Sequence, residues 1–330
     1  MFGNLMGWLI SAILLVATGG LIYIGGKTEP RSKSTGMFSV AMKPAKLSIA
    51  PDFVPPGTDA RDGGQILREL LVRFDDKYLK VDFERFGKAK DKDKLAKAEA
   101  LKDDCDKLVD AMNCNSFSSL LKSDDLVVYG RKPYMESLEL LGKGVRDIGQ
   151  YYAMKDGPRN QARDEERGRR YIEAVFKLGR VLYEDRQVYK EFRTGCKLLF
   201  EAGFGLSTLE TDPAKKQRLV DFYNDAKKTL DAQNPVFEKF RMVTADSTPI
   251  DGPGDTFEIA LKSQEPMWQT EAVLRLGRMK MGYASYADQR AVPEVLDEVS
   301  KLPGLKPNVK IAVDRARNIT PADFQKLDGY

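Results

Sequence analysis

From about residue 64 to residue 319 the apolar side chains of this chain recur three and four apart, and that spacing dictates α-helix. Between Lys88 and Met112, residues Ala98, Leu101, Cys105, Leu108 and Met112 fall on one face of an amphipathic helix, and the Lys and Asp residues between them form its solvated side. Leu138, Leu141, Val145, Ile148 and Tyr152 repeat the pattern after Pro133, which suits a first helical turn. Further helices are predicted over 164–183 and 186–202, the second broken by Gly203-Phe204-Gly205. Asp212-Pro213 reads as the cap and first turn of a helix carrying Leu219, Phe222, Ala226 and Leu230, which Asn234-Pro235 should end. Ser247–Asp255 reads as a loop, and Leu126–Gly130 is the only strand-like run. The fold class is all-α.

The N-terminus has a different constraint. No charged side chain precedes Lys27, and Met6–Ile24 is almost wholly apolar. At about 1.5 Å per residue such a helix is close to the hydrocarbon thickness of a bilayer. Trp8 and Tyr23 stand near its ends, where amphipathic rings favour the headgroups. A signal peptide would want a basic start, and there is none, so residues 1–27 read as an uncleaved single-pass anchor. Lys27, Arg31 and Lys33 follow it, which favours the cytoplasmic side for the rest of the chain, with an extracytoplasmic domain as the alternative. Gly3, Gly7 and Ser11 recur every four residues and would let two such helices approach closely, so a homo-oligomer is open. Residues 28–62, rich in Pro, Gly, Ser and Lys, read as a linker. An α-helical domain over 63–265 and a last segment over 266–330 complete the organisation.

Composition removes several chemistries. There is no histidine, hence no imidazole base, no Ser-His-Asp or Cys-His dyad and no His-ligated metal. Cys105, Cys114 and Cys196 form no CxxC pair, which argues against zinc; a Cys105–Cys114 disulfide stays open if the domain faces an oxidising compartment. A net charge of +4 spread over a mixed-sign surface gives no basic stripe for nucleic acid. There is no phosphate loop and no dinucleotide fingerprint, so no cofactor is expected.

One short phrase recurs. EAVFKLGRV starts at Glu173, EAVLRLGRM at Glu271, and a looser copy, ESLELLGKG, at Glu136. The shared pattern is Glu, small, apolar, two variable positions, Leu, Gly, basic. A glycine inside a helix costs about 1 kcal/mol against alanine, so it should mark a place where another helix packs onto the backbone. The stretch Pro266–Ile319 goes further. Ala272, Leu276, Gly277 and Arg278 are followed by Asp288, Arg290, Ala291, Val292 and Pro293, then by the apolar stripes Val295, Leu296, Val299, Leu302 and Val309, Ala312, Val313, Ala316. This resembles the HEAT-repeat family in its short bacterial form. Asp288 would cap the helix that contains Pro293 near its first turns. Met281–Ala287 is longer than the family's tight turn, and no Leu-Gly follows Ala316. Residues 64–265 are only generically similar to helical-hairpin repeats, tetratricopeptide units included. The resemblance implies stacked helices and a surface for binding other proteins, with no catalytic residues to carry over.

Arg159, Arg163, Arg167 and Arg170 fall at helical spacing and form a candidate partner-binding basic face. Asp164, Glu165 and Glu166 interleave with them, so a self-neutralised solvated face is the competing reading. Asp246–Asp255 holds three carboxylates without EF-hand spacing, so no metal site is expected. Trp268 reads as a packing anchor. The sequence thus predicts a non-enzymatic, membrane-anchored helical scaffold or accessory subunit that binds a protein partner. Its rivals are an all-α hydrolase or lyase using two carboxylates on envelope polysaccharide, and a self-assembling architectural protein.

Overall fold

The computed structural model describes residues 31–50, 52–75, 78–122, 126, 134–153, 164–241, 253–282 and 284–325. The expected anchor, with Gly3, Gly7 and Ser11, lies outside them, as do Arg159, Arg163 and all of Leu126–Gly130 except Leu126. No helix among the described residues is long and apolar enough to cross a membrane.

The described chain is mostly helical. After a 3-10 turn at Ser39–Met42 and a short strand β1 (Asp59–Asp62) come α1 (Gly63–Asp75), α2 (Tyr78–Gly87), α3 (Asp91–Ala100) and α4 (Lys102–Met112). A strand β2 (Cys114–Ser116) precedes the long helices α5 (Met135–Ala153), α6 (Glu165–Asp185), α7 (Tyr189–Leu209) and α8 (Pro213–Arg241). The last five are α9 (Pro253–Lys262), α10 (Pro266–Lys280), α11 (Tyr286–Ser300), α12 (Pro307–Asn318) and α13 (Pro321–Gln325). Five helices open on proline, whose missing N–H is an orphan in the first turn anyway. Asp164 caps α6 by accepting from the Arg167 N–H at 2.9 Å, and Asp212 accepts from the Ala214 N–H at 2.9 Å at the start of α8.

Four local expectations need correction. The stripe from Ala98 to Met112 is buried as predicted, but it is carried by two helices that meet at Leu101, not one. Gly203 and Gly205 do not break α7. A Cβ at Gly203 would sit 3.1 Å from Tyr223 Cβ on α8, and one at Gly205 would sit 3.2 Å from Ile172 Cγ2 on α6, so the glycines admit a neighbour on each side. Pro235 does not stop α8. The helix is held through it by tertiary contacts: Tyr189 donates to Asn234, stacks on Phe237 at 4.0 Å, and Trp268 Nε1 donates to Gln233 Oε1 at 2.7 Å. Ser285, not Asp288, caps α11, and Pro293 lies inside that helix on its exposed side. There the carbonyl that lost its partner can turn to water.

Helices α5, α6, α7 and α8 pack in succession, and α5 also reaches α7. Helices α1 and α2 lie against α5, and α4 against α6. In the last part α10 is central, touching α9, α11, α12 and α7. All three glycines of the recurring phrase face a neighbouring helix at close range. A Cβ at Gly142 would fall 2.6 Å from Leu198 Cδ2, at Gly179 2.9 Å from the Leu199 backbone nitrogen, and at Gly277 3.0 Å from Ala316 Cα. One apolar cluster runs from Phe38 to Ala316, so the core is continuous across residue 265.

Residues 31–62, expected to be a linker, are built into this body. Phe38, Ala41, Phe53 and Val54 are buried in the core. Polar contacts stitch the rest down: Ser32 N–H donates to Asp288 at 2.7 Å, Thr35 and Gly36 N–H donate to Asp255 at 3.0 and 2.9 Å, and Ala45 N–H donates to Glu265 at 3.0 Å. Asp255, expected in a loop, lies in the first turn of α9. Strands β1 and β2 pair in parallel, a pairing that nothing in DARD or CNS announces. It follows from the strap being pressed onto the end of α4, where Asp59 N–H donates to Asn113 O at 2.9 Å.

Candidate functional site

Helix α6 buries Tyr171, Ile172, Val175, Phe176, Leu178 and Leu182. Its opposite side carries Glu173, Lys177, Arg180 and Glu184, spaced three and four apart. Lys177, Arg180, Val181 and Glu184 form one wall of an open cleft of about 430 Å³. Pro56, Met112, Cys114, Phe117 and Leu121 form the apolar part of the opposite side.

Two features set that opposite side. At Gly57 a Cβ would lie 2.2 Å from the Cys114 carbonyl, so only glycine lets the strap run this close to β2. The Asp62 carboxylate accepts from Ser118 Oγ at 3.0 Å, from the Ser119 N–H at 3.1 Å and from the Gly64 N–H at 2.9 Å. It thereby ties the turn bearing Phe117 to the start of α1. Partial burial works to raise the pKa of Asp62, but the bonds from Ser119, Ser118 and Gly64 outweigh it and hold the group below the usual carboxylate range.

The cations of the cleft are imperfectly matched. Lys177 Nζ donates to Asn113 Oδ1 at a long 3.4 Å. Arg180 lies over the Phe176 ring at 5.5 Å, and its Nε and Nη2 are both buried without a hydrogen-bond partner. Burial lowers the pKa of each cation; Glu173 partly offsets this at Lys177, and Glu184 at Arg180. Leaving buried donors unmet costs about 1–3 kcal/mol each. Asp185, also at the rim, accepts from Gln187 Nε2 at 3.1 Å. Arg180 occupies the basic position of the recurring phrase. The sequence flagged that position but gave no reason to single it out, because the cleft needs residues 56 and 114–121 opposite it.

Of the arginine face read from sequence, Arg167 and Arg170 are described. Arg167 is engaged within the chain, 3.2 Å from Asp164 and 3.4 Å from Glu99, and stacked 5.1 Å from the Tyr152 ring. Arg170 is exposed and borders a shallow hollow with Lys102, Asp106 and Asp110. Trp268 is fully buried. The three cysteines are free and buried, Cys105 and Cys114 included. Burial raises all three thiols, Cys196 to about 12, so none is poised as a thiolate.

The deeply buried carboxylates close helix ends and fix the strap. Glu191 accepts from the Gln187 and Val188 N–H groups at 2.6 and 3.2 Å, and Glu271 from the Tyr189 N–H at 3.0 Å. Glu265 also meets Arg186 at 3.1 Å. Asp255 takes Ser34 Oγ at 2.8 Å besides its two backbone donors. Such carboxylates hold backbone in place by accepting its N–H groups. Among the described residues no group of three or more Cys, Asp or Glu is arranged to hold a metal ion. Comparison of the chain with known protein families, with curated proteins and with solved structures gave no match.

Proposed function

We propose that this chain is a membrane-tethered helical scaffold that holds a protein partner in the cleft beside α6. The observation that carries the reading is the cleft itself: apolar on one side, and on the other lined by the charged residues Lys177, Arg180 and Glu184 of α6. Support also comes from the rigidity of the frame. Gly179 and Gly277 bring helices together at backbone distance and Gly142 seats the Leu198 side chain of α7, as suits a stacked array with a fixed outer surface. We read α9–α12 as HEAT-like units within that array, α10 and α12 meeting at Gly277 and Ala316. The apolar first 27 residues supply the tether and the basic residues after them favour a cytoplasmic body.

The test is isolation of the tagged full chain in mild detergent at native expression. A stoichiometric partner should co-purify; a solitary monomer would overturn the scaffold. Sidedness is accessible because the native thiols are buried and Tyr286 is 75% exposed. A Tyr286→Cys chain should react with an impermeant maleimide only after the membrane is opened, and reaction in intact cells would place the body outside.

A further inference from the structure

We infer that a ridge on the strap, formed by Met37, Val40, Lys43 and Lys46, lies on the bilayer, its two apolar tips among the headgroups and its lysines against anionic lipid phosphates. The inference rests on the tether proposed above and gives the body a second, lipid-dependent contact with the same membrane. Backbone bonds from Ser39 to Gly36, Ala41 to Phe38 and Lys43 to Val40 wind this stretch into 3-10 turns. Side chains three apart eclipse in that geometry, so one row faces in and another faces out. Phe38 and Ala41 are buried in the core. Met37 and Val40 face out, 44% and 47% exposed, and Lys43 and Lys46 are exposed after them. The turn packs on α8 and α9 and leaves the outer row uncovered.

Charge points to the partner. Residues 31–50 hold Arg31, Lys33, Lys43 and Lys46 and no acidic residue; the 53 basic residues less these four equal the 49 acidic ones, so the chain's whole surplus of +4 sits on this strap. The carboxylates around it face inward or are taken. Asp255, Glu265 and Asp288 are buried beneath it, Arg31 meets Glu298, and Lys262 meets Glu258. Lys43 and Lys46, with Ser39 and Thr229, border an open hollow of about 290 Å³ whose lining contains no carboxylate. An anionic leaflet attracts lysines held near it, and exposed Met and Val tips gain by leaving water. The lysine stems can lie along those tips while the ammonium groups stay in the wet headgroup layer. At the centre of a protein interface lysine is depleted, so a protein surface fits this row less well. The tether supplies proximity: ten residues part Met37 from Lys27, at most about 35 Å of extended chain, and Ser32, Thr35 and Gly36 are fastened down on the way.

The experiment labels the full chain carrying Val40→Cys with an environment-sensitive fluorophore; the native thiols are buried. The chain is reconstituted into vesicles of phosphatidylcholine alone, or of equal parts phosphatidylcholine and phosphatidylglycerol. Quenching by nitroxide-bearing lipid reports immersion. Val72→Cys is the reference, at a position 73% exposed on α1, which packs on α2, α4 and α5. In the anionic vesicles the probe at 40 should be quenched well above the probe at 72, with a blue-shifted emission. The excess should fall about fivefold for each of Lys43→Gln and Lys46→Gln. All these positions are exposed, and circular dichroism checks that the variants are folded. Equal quenching at 40 and 72, quenching at 40 that ignores lipid charge or the two lysines, or a probe covered in native membranes but not in vesicles overturns the inference, the last by assigning the ridge to a protein. Extraction with alkaline carbonate reads the tether separately. A chain that resists extraction while the probe at 40 stays in water keeps the tether and loses the ridge. A chain that carbonate releases, yet binds anionic vesicles through the two lysines, does the reverse.

Discussion

At the scale of single residues, space and unmet polarity make opposite demands. Gly179 faces backbone atoms of α7, which cannot rotate away, so Gly179→Ala should lower stability by about 1–3 kcal/mol in urea denaturation followed by circular dichroism. Gly87 ends α2 with nothing within 4 Å of an added Cβ; Gly87→Ala should be neutral or stabilising by less than about 1 kcal/mol. Arg180 is the converse case. Replacing a half-buried, unbonded guanidinium by the similar volume of methionine should raise stability by about 1 kcal/mol in the same assay, the mark of a residue kept for something other than folding. The glycines were legible in the sequence, because Leu-Gly-basic recurs and a helical glycine needs a packing reason. Arg180 was not, because nothing local distinguishes it from Lys143 or Arg278 at the same position of the phrase.

At the scale of elements, helix interiors follow the pattern of apolar residues and helix ends follow tertiary contacts. The buried faces predicted for α4, α5 and α8 hold, Ala98 to Met112 and Leu138 to Tyr152 among them. The stops predicted at Gly203 and Pro235 fail, because local punctuation is weaker than the packing around it. Pro235 costs α8 one hydrogen bond, and its neighbours Asn234 and Phe237 are gripped by Tyr189. Pro235 is itself exposed, so Pro235→Ala should restore the bond without disturbing a contact. The variant should be more stable by about 1–3 kcal/mol, with slower amide exchange at the neighbours of residue 235. No change in exchange there would mean that the helix is already distorted for another reason.

At the scale of the whole molecule, the strap over residues 31–62 joins parts of the chain more than two hundred residues apart in sequence, Ser32 to Asp288 and Thr35 to Asp255. Over residues 28–62 the sequence showed five prolines and read a linker. It could not show that Phe38, Phe53 and Val54 have places waiting in the core, since those places are built by helices far along the chain. The strap carries its own pH dependence. Burial works to raise the pKa of Asp255, but bonds from Thr35, Ser34 and Gly36 outweigh it and hold the carboxyl below its ordinary 3.8. A depressed carboxyl contributes stability at pH values above about 4, and that contribution is lost as pH falls through the folded-state value. Protection of the Thr35 and Gly36 amides, taken relative to the intrinsic exchange rate at each pH, should therefore fall steeply below about pH 4 and stay flat from 5 to 8. Asp255→Asn should exchange faster at neutral pH and lose the acid limb.

The contacts at Arg31 and Ser32 also set a distance. Arg31 Nη1 lies 3.3 Å from Glu298, so the chain is already fastened to α11 four residues beyond Lys27. Four residues of fully extended backbone cover at most about 14 Å. If the first 27 residues cross a bilayer, the helical body stands directly over the lipid headgroups and turns with its anchor, and it has no slack to search the surrounding solution. A tether that short selects for neighbours embedded in the same sheet of lipid, whose flexible segments need to rise only a short way to meet it.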